Sequence, residues 1–139
     1  MKIRNKGFSL VELIIVIAIM AVLIAVLAPQ FIKYVERSRI QKDESAASEV
    51  LRAAQIALSE EDVYDALVAE GGTVSLTVAD EGSPTCTVTE LQTSVRDVVP
   101  GPIDFTSKKH NGQTYTVQIV TTTDPITVTG DPAAAGSWS

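Results

Sequence analysis

The sequence predicts an α+β protein in which a long N-terminal helix packs its second half on a small antiparallel sheet of three to four strands. Three observations indicate this fold. Residues 13–28 contain no polar side chain, apolar residues recur at helical spacing after them, and the C-terminal half alternates short strand-like segments with turn residues. At 139 residues, the chain allows one domain.

The apolar run from Phe8 to Ala28 contains 21 residues. As a helix it would reach about 31 Å, which matches a hydrocarbon core of roughly 30 Å. One carboxylate, Glu12, lies near its start, where an ionised side chain costs on the order of 3 kcal/mol to bury in lipid. The run is therefore predicted to span a bilayer, and Glu12 needs a specific reason to be there.

A cleaved secretory signal is the alternative interpretation of this N-terminus, since Lys2, Arg4 and Lys6 precede the apolar run. Its candidate cleavage site is Val26-Leu27-Ala28, directly before Pro29. We expect a proline at that position to hinder signal peptidase.

The helix is predicted to continue from Ser9 to Leu58, with Pro29 kinking or loosening it locally without ending it. The polar residues 37–44 are interpreted as a solvated helix face. A helix of this length reaches ~75 Å, more than one small domain can cover, so its apolar half must lie in lipid or among other helices. The apolar stripe predicted to pack on the sheet consists of Ala47, Val50, Leu51, Ala54 and Leu58.

The remaining elements are predicted to be short. They are a helix over 63–69 ended by two glycines, a strand over 73–78, a brief strand over 85–89, a helical turn opened by a Thr89–Gln92 capping box, hairpin strands over 103–108 and 114–120 that turn at 110–112, and a last strand over 126–129.

The segment Gly7-Phe8-Ser9-Leu10-Val11-Glu12-Leu13, followed by aliphatic residues, Pro29-Gln30-Phe31 and Arg37-Ser38, resembles the N-terminus of an N-methylphenylalanine type IV pilin or pseudopilin. The resemblance implies a leader, residues 1–7, which a membrane prepilin peptidase removes between Gly7 and Phe8. The same enzyme would then methylate the Phe8 amine with S-adenosylmethionine. Residues 8–30 would form the transmembrane and polymerisation half-helix, and residues 31–139 the globular head.

The resemblance also implies a role for Glu12 in subunit assembly, through pairing with the Phe8 amine of a neighbouring subunit. A paired charge is tolerated in an apolar bundle where a lone one is not. In the alternative interpretation, Glu12 lies at headgroup depth or is protonated, and has no partner.

The function implied is that of a structural subunit of a type IV pilus filament, for adhesion, twitching motility or related surface processes. Its partners would be copies of itself, the prepilin peptidase and methyltransferase, and a pilus assembly platform with its ATPase. The chain would cross the plasma membrane once before assembly and lie in an extracellular filament afterwards. Two alternatives are a pseudopilin of a type II secretion or competence system, and a bitopic membrane protein with a small binding head that never polymerises.

The sequence gives no support for an enzyme or a cofactor, because it contains no CxxC, HExxH, GxGxxG or P-loop motif. His110 is interpreted as a solvated turn residue. Asp104, Asp124 and Asp131 could approach a calcium ion, but they lack EF-hand spacing, so no metal site is predicted.

Loss of the leader would leave 8 basic residues against 17 acidic ones, which argues against direct nucleic-acid binding. Cys86 is the single cysteine of the chain, so it cannot form the intramolecular disulfide that closes the C-terminal region of many pilins. Trp138, in a C-terminal segment rich in small residues, is expected to make an ordinary packing contact.

Overall fold

The computed structural model describes residues 7–123 and 125–130. Within these ranges the elements follow the order α1 (Leu10–Ala57), α2 (Glu61–Glu70), β1 (Thr73–Ala79), α3 (Thr89–Val98), β2 (Thr114–Val120) and β3 (Thr127–Thr129). A long N-terminal helix and a small antiparallel sheet confirm the predicted α+β class. The leader cations, Asp124, Asp131 and Trp138 lie outside the described residues.

Helix α1 has 48 residues and contains Pro29 in its interior. The prediction that the helix continues past this proline is therefore confirmed, while a kink at Pro29 stays a prediction. The chain divides between Glu36 and Arg37 into two compact units.

The first unit contains the apolar part of α1, and the large apolar side chains of residues 10–32 are exposed. From residue 13 to residue 28 apolar side chains surround the whole helix, so this part of α1 has no polar face for contact with water. Judged by length and composition, α1 is the one helix of the described residues that could cross a membrane.

The second unit contains the sheet, whose strands are arranged in the order β1-β2-β3 and are antiparallel throughout. In β1 and β2 the register pairs Thr73 with Val120 and Ala79 with Thr114. Alternate residues of both strands are buried, as period-two patterning requires. The buried set is Val74, Leu76, Val78, Tyr115, Val117 and Ile119.

The core of the second unit contains one face of α1, and that face is made largely of alanine. Ala47, Val50 and Ala54 of the predicted stripe are fully buried, while Leu51 and Leu58 are partly buried against the core. Ala53 and Ala57 are also fully buried and were not predicted.

Two predicted strands are wrong. Residues 103–108 form a loop, in which Ile103 makes an isolated bridge to Gly82. The segment 85–89 contributes one bridge, between Thr85 and Thr77. Both segments are short, and the backbone amides of the first are bound by remote side chains, as described below.

Both short helices are longer than predicted. α2 ends where Gly71, at a φ of 69°, donates its N–H to the Leu67 carbonyl. α3 has Val88 at its N-cap position with no side-chain cap, so the predicted capping box is wrong. The Gln92 side chain instead accepts the N–H of Cys86 at 2.9 Å.

Candidate functional site

The segment that carries the methylation-type sequence begins outside the helix. Gly7, Phe8 and Ser9 are non-helical and exposed, and Phe8 is 88% exposed. A Cβ on Gly7 would meet no atom within 4 Å. Among the described residues, the fold therefore leaves open space for a side chain at position 7.

Glu12 has a hydrogen-bond partner within its own helix. Its Oε2 accepts the backbone N–H of Ser9 at 2.9 Å. Ser9 lies just before the first helical residue, and the spacing Ser-x-x-Glu is that of a capping box, in which the glutamate satisfies an amide that the helix leaves unpaired. This contact was not predicted, and the Ser-x-x-Glu spacing was the available signal in the sequence.

Pro29 and its neighbours from Ala28 to Phe31 are exposed. The structure places Gly7, Phe8 and Glu12 within one short segment, and Pro29 lies 17 positions further along α1.

A second group of polar residues lies in the other unit, around the loop 103–113, which we call the anchored loop. The Asp43 side chain is fully buried, and its two oxygens accept the N–H groups of Thr106 at 3.0 Å and Ser107 at 2.9 Å. His110 is also fully buried, with Nδ1 at 3.6 Å from Asp43 Oδ2. The interpretation of His110 as a solvated turn residue is therefore wrong.

Asp43 also corrects the interpretation of residues 37–44 as a solvated face. Asp43 lies four positions before Ala47 and so continues the buried stripe of α1. That spacing was the available signal that Asp43 is buried. A carboxylate is rarely buried without partners, however, and the partners of Asp43 lie more than 60 positions away, where local patterns do not reveal them. Outside this stripe the segment keeps its exposed residues, including Arg37, Arg39 and Lys42.

Asp80 holds the same loop from the end of β1. Its Oδ1 accepts the Phe105 N–H at 2.8 Å, and its Oδ2 accepts the Gly112 N–H at 2.7 Å. The Phe105 contact, followed by the Gly112 contact, holds the pKa of Asp80 below its usual 3.8. Burial lowers the pKa of His110 below 6.5, and Lys109 adds to this effect, while Asp43 and Glu44 oppose it.

These hydrogen bonds anchor a loop, and the side chains that make them do not form a catalytic arrangement. Within the described ranges no group of three or more histidine, cysteine or acidic side chains could hold a metal ion. Asp104, the described member of the calcium candidates, is exposed.

Comparisons with known proteins point to the N-terminal segment. Residues 2–28 match the family model of the prokaryotic N-terminal methylation motif. The chain is 38% identical over 69 residues to the type IV major pilin protein PilA of Myxococcus xanthus (strain DK1622), which is 50% of this chain and 31% of that protein. It is 38% identical over 58 residues to a type IV major fimbrial protein FimA of Dichelobacter nodosus, 42% of this chain and 37% of that protein.

A fimbrial protein of Pseudomonas aeruginosa is 39% identical over 56 residues, 40% of this chain and 36% of that protein. The chain thus spans about a third of the length of the curated relatives it matches. No solved structure matches it. The resemblance to type IV pilins, inferred from residues 7–38, is confirmed by both kinds of match.

Proposed function

We propose that this protein is a structural subunit of a type IV pilus filament. The observation that carries the proposal is an exposed half-helix, apolar from Leu13 to Ala28, that lies within the matched prokaryotic methylation motif. Such a surface is stable in a bilayer or among other apolar helices, and a filament of identical subunits supplies the second environment. The chain acts mechanically, without a catalytic step of its own.

The proposed maturation follows from the pilin resemblance. Residues 1–7 are the leader, which the prepilin peptidase removes between Gly7 and Phe8 before the Phe8 amine is methylated. Exposure of Gly7 and Phe8 outside the helix supports this step, because a peptidase needs an accessible, non-helical segment. Residues 8–30 then cross the plasma membrane until the assembly platform and its ATPase move the subunit into the extracellular filament, while residues 31–139 form the head.

Glu12 is the proposed assembly residue. Its carboxylate would receive the Phe8 amine of a neighbouring subunit, which compensates the charge inside an apolar helix bundle. The Ser9 N–H, which Glu12 accepts at 2.9 Å, supports this role because it holds the carboxylate at the first turn of α1. Pro29 is the proposed site of a local kink in the same half-helix.

Mass measurement of protein recovered from cells tests the maturation. The expected chain begins at Phe8 and carries one methyl group on its amine. Gly7→Val should block this cleavage while leaving the far-UV circular dichroism unchanged, because position 7 has open space in the fold. A chain that begins at Met1 or Pro29, or efficient cleavage of Gly7→Val, would contradict the proposal.

Two substitutions at Glu12 separate its two roles. Glu12→Gln keeps an oxygen that can accept the Ser9 N–H but removes the charge, whereas Glu12→Ala removes both. If the charge pairs subunits, both variants lose surface filaments in electron micrographs, while the exposed head variant Glu49→Gln retains them. Filaments on cells that make Glu12→Gln would contradict the ion-pair role of Glu12. Wild-type cells that form only short fibres confined to the cell envelope would favour the pseudopilin.

A further inference from the structure

The anchored loop contains an Asn-Gly sequence, Asn111-Gly112, and both residues are exposed. An asparagine followed by glycine is prone to deamidation, because glycine has no side chain to shield the attacking backbone nitrogen. In this reaction the Gly112 nitrogen bonds to Cγ of Asn111, the bond between Cγ and Nδ2 breaks, and ammonia leaves with the Gly112 proton. Water then opens the succinimide to aspartate or isoaspartate.

The attacking nitrogen is held by a carboxylate. The Gly112 N–H donates to Asp80 Oδ2 at 2.7 Å. The nitrogen must lose this proton to attack, and a negative charge at hydrogen-bond distance opposes the anion that would form. Asp80 remains ionised over the neutral range, since its pKa lies below 3.8, chiefly through the Phe105 N–H and then the Gly112 N–H.

The group under attack is restrained as well. Asn111 Nδ2 donates to the Phe105 carbonyl at 3.3 Å, and the Asn111 N–H donates to the Ser107 carbonyl at 2.9 Å. The N–H of Phe105 is in turn accepted by Asp80 Oδ1 at 2.8 Å. One carboxylate therefore fixes both the nitrogen that attacks and the backbone that holds the amide.

We propose that Asn111 is a deamidation site. In the folded protein the Asp80 contacts slow the reaction, and Asn111 reacts when these contacts are lost. The reaction would place a new carboxylate near Asp80, and its isoaspartate product would lengthen the backbone of the anchored loop. Both changes weaken the hydrogen bonds that fix the anchored loop. The new carboxylate would repel Asp80, and the longer backbone would shift the amides of 105–107 and 112, which are bound at fixed spacing.

The test follows deamidation of the full-length protein in detergent at mildly alkaline pH. The peptide that begins at His110 is released with trypsin, and its mass and isoaspartate content are measured over time. We expect folded wild type to react at least about tenfold more slowly than the same protein in urea, the order given by loss of a hydrogen bond to a charged group. Folded Asp80→Ala should react about tenfold faster than folded wild type for the same reason.

Asp104→Ala is the matched control, since it removes an exposed carboxylate from the same loop and should leave the rate unchanged. Asn111→Gln should abolish the product and so assign it to this position. Equal rates in folded and urea-treated wild type would overturn the proposal, as would a folded Asp80→Ala at the wild-type rate. If Asp80→Ala does not fold, Asp80→Asn takes its place, since it removes the charge and leaves one oxygen for the two amides. This variant should also react faster than folded wild type, and a wild-type rate would overturn the proposal.

Discussion

Asp43 and Glu12 are carboxylates of the same helix that bind backbone amides in different surroundings. Glu12 is exposed and caps the helix that carries it, whereas Asp43 is fully buried and binds two amides of a distant loop. A buried carboxylate is stable when such donors replace the water it has lost. At the scale of single residues, Asp43 is therefore expected to contribute most to the stability of the head.

Replacement of Asp43 by alanine should lower the free energy of unfolding by about 2–4 kcal/mol, because the Thr106 and Ser107 amides lose a charged acceptor. Lys42→Ala, at the adjacent exposed position, should change it by no more than about 0.5 kcal/mol. Urea unfolding followed by circular dichroism measures both. Equal, small effects would show that the amides are satisfied without Asp43.

Acid should destabilise the head in two steps. The folded-state pKa of His110 lies below 6.5, so protons bind the unfolded chain preferentially and stability falls as the pH drops below that value. The folded-state pKa of Asp80 lies below 3.8, so its contribution is present above 3.8 and is lost as the pH falls further. Unfolding curves at a series of pH values measure this dependence.

His110→Gln should flatten the decline that begins below pH 6.5, and Asp80→Asn should flatten the decline that begins below pH 3.8. A wild-type slope in His110→Gln would mean that another group titrates in the upper range.

At the scale of elements, the alanine face of α1 brings the helix close to the core, since Ala47, Ala53, Ala54 and Ala57 have no exposed surface. Small side chains allow a helix to approach its neighbours closely, and they leave little space for a larger one. The face should thus tolerate enlargement poorly.

Ala54→Leu should destabilise the head by about 1–3 kcal/mol through overpacking. Gln55→Leu adds the same side chain one position away, on the exposed side of the helix, and should be nearly neutral. Both leucines are good helix formers, so thermal melts of the two variants isolate the packing effect. An Ala54→Leu melt at the wild-type temperature would contradict the packing described.

Sequence periodicity predicts those elements whose structure follows from the apolar pattern of their own residues. α1, β1 and β2 follow from apolar spacing of 3.6 or 2. The segment 103–108 also has strand-like composition, but Asp43 and Asp80 bind its amides from other parts of the chain, so local propensity fails there. For the same reason the burial of His110 could not be predicted, whereas the Ser9–Glu12 capping box could have been.

At the scale of the whole molecule, the two units differ in the environment in which they are stable. The buried apolar core of the described residues begins at Ala47, and Asp43 is the first buried residue before it. The apolar side chains of residues 10–32 are exposed and contribute nothing to that core. The head should therefore fold without the exposed apolar half of α1.

A fragment of residues 33–139 should be soluble without detergent and unfold cooperatively, with the same urea midpoint as the full chain in detergent. A fragment of residues 45–139 keeps the buried apolar core but lacks Asp43, so its midpoint should be clearly lower. Analytical ultracentrifugation and circular dichroism measure solubility and unfolding. Aggregation of the 33–139 fragment would show that the head depends on the first unit.

The contact between Ser9 and Glu12 bears on how the proposed pairing of subunits would begin. A carboxylate has two oxygens, and the Ser9 N–H binds Oε2. In the proposed assembly, Oε1 could accept an incoming amine while Oε2 keeps its amide. The acidic group would then be aimed before any neighbour arrives, so docking would cost it less rotational freedom.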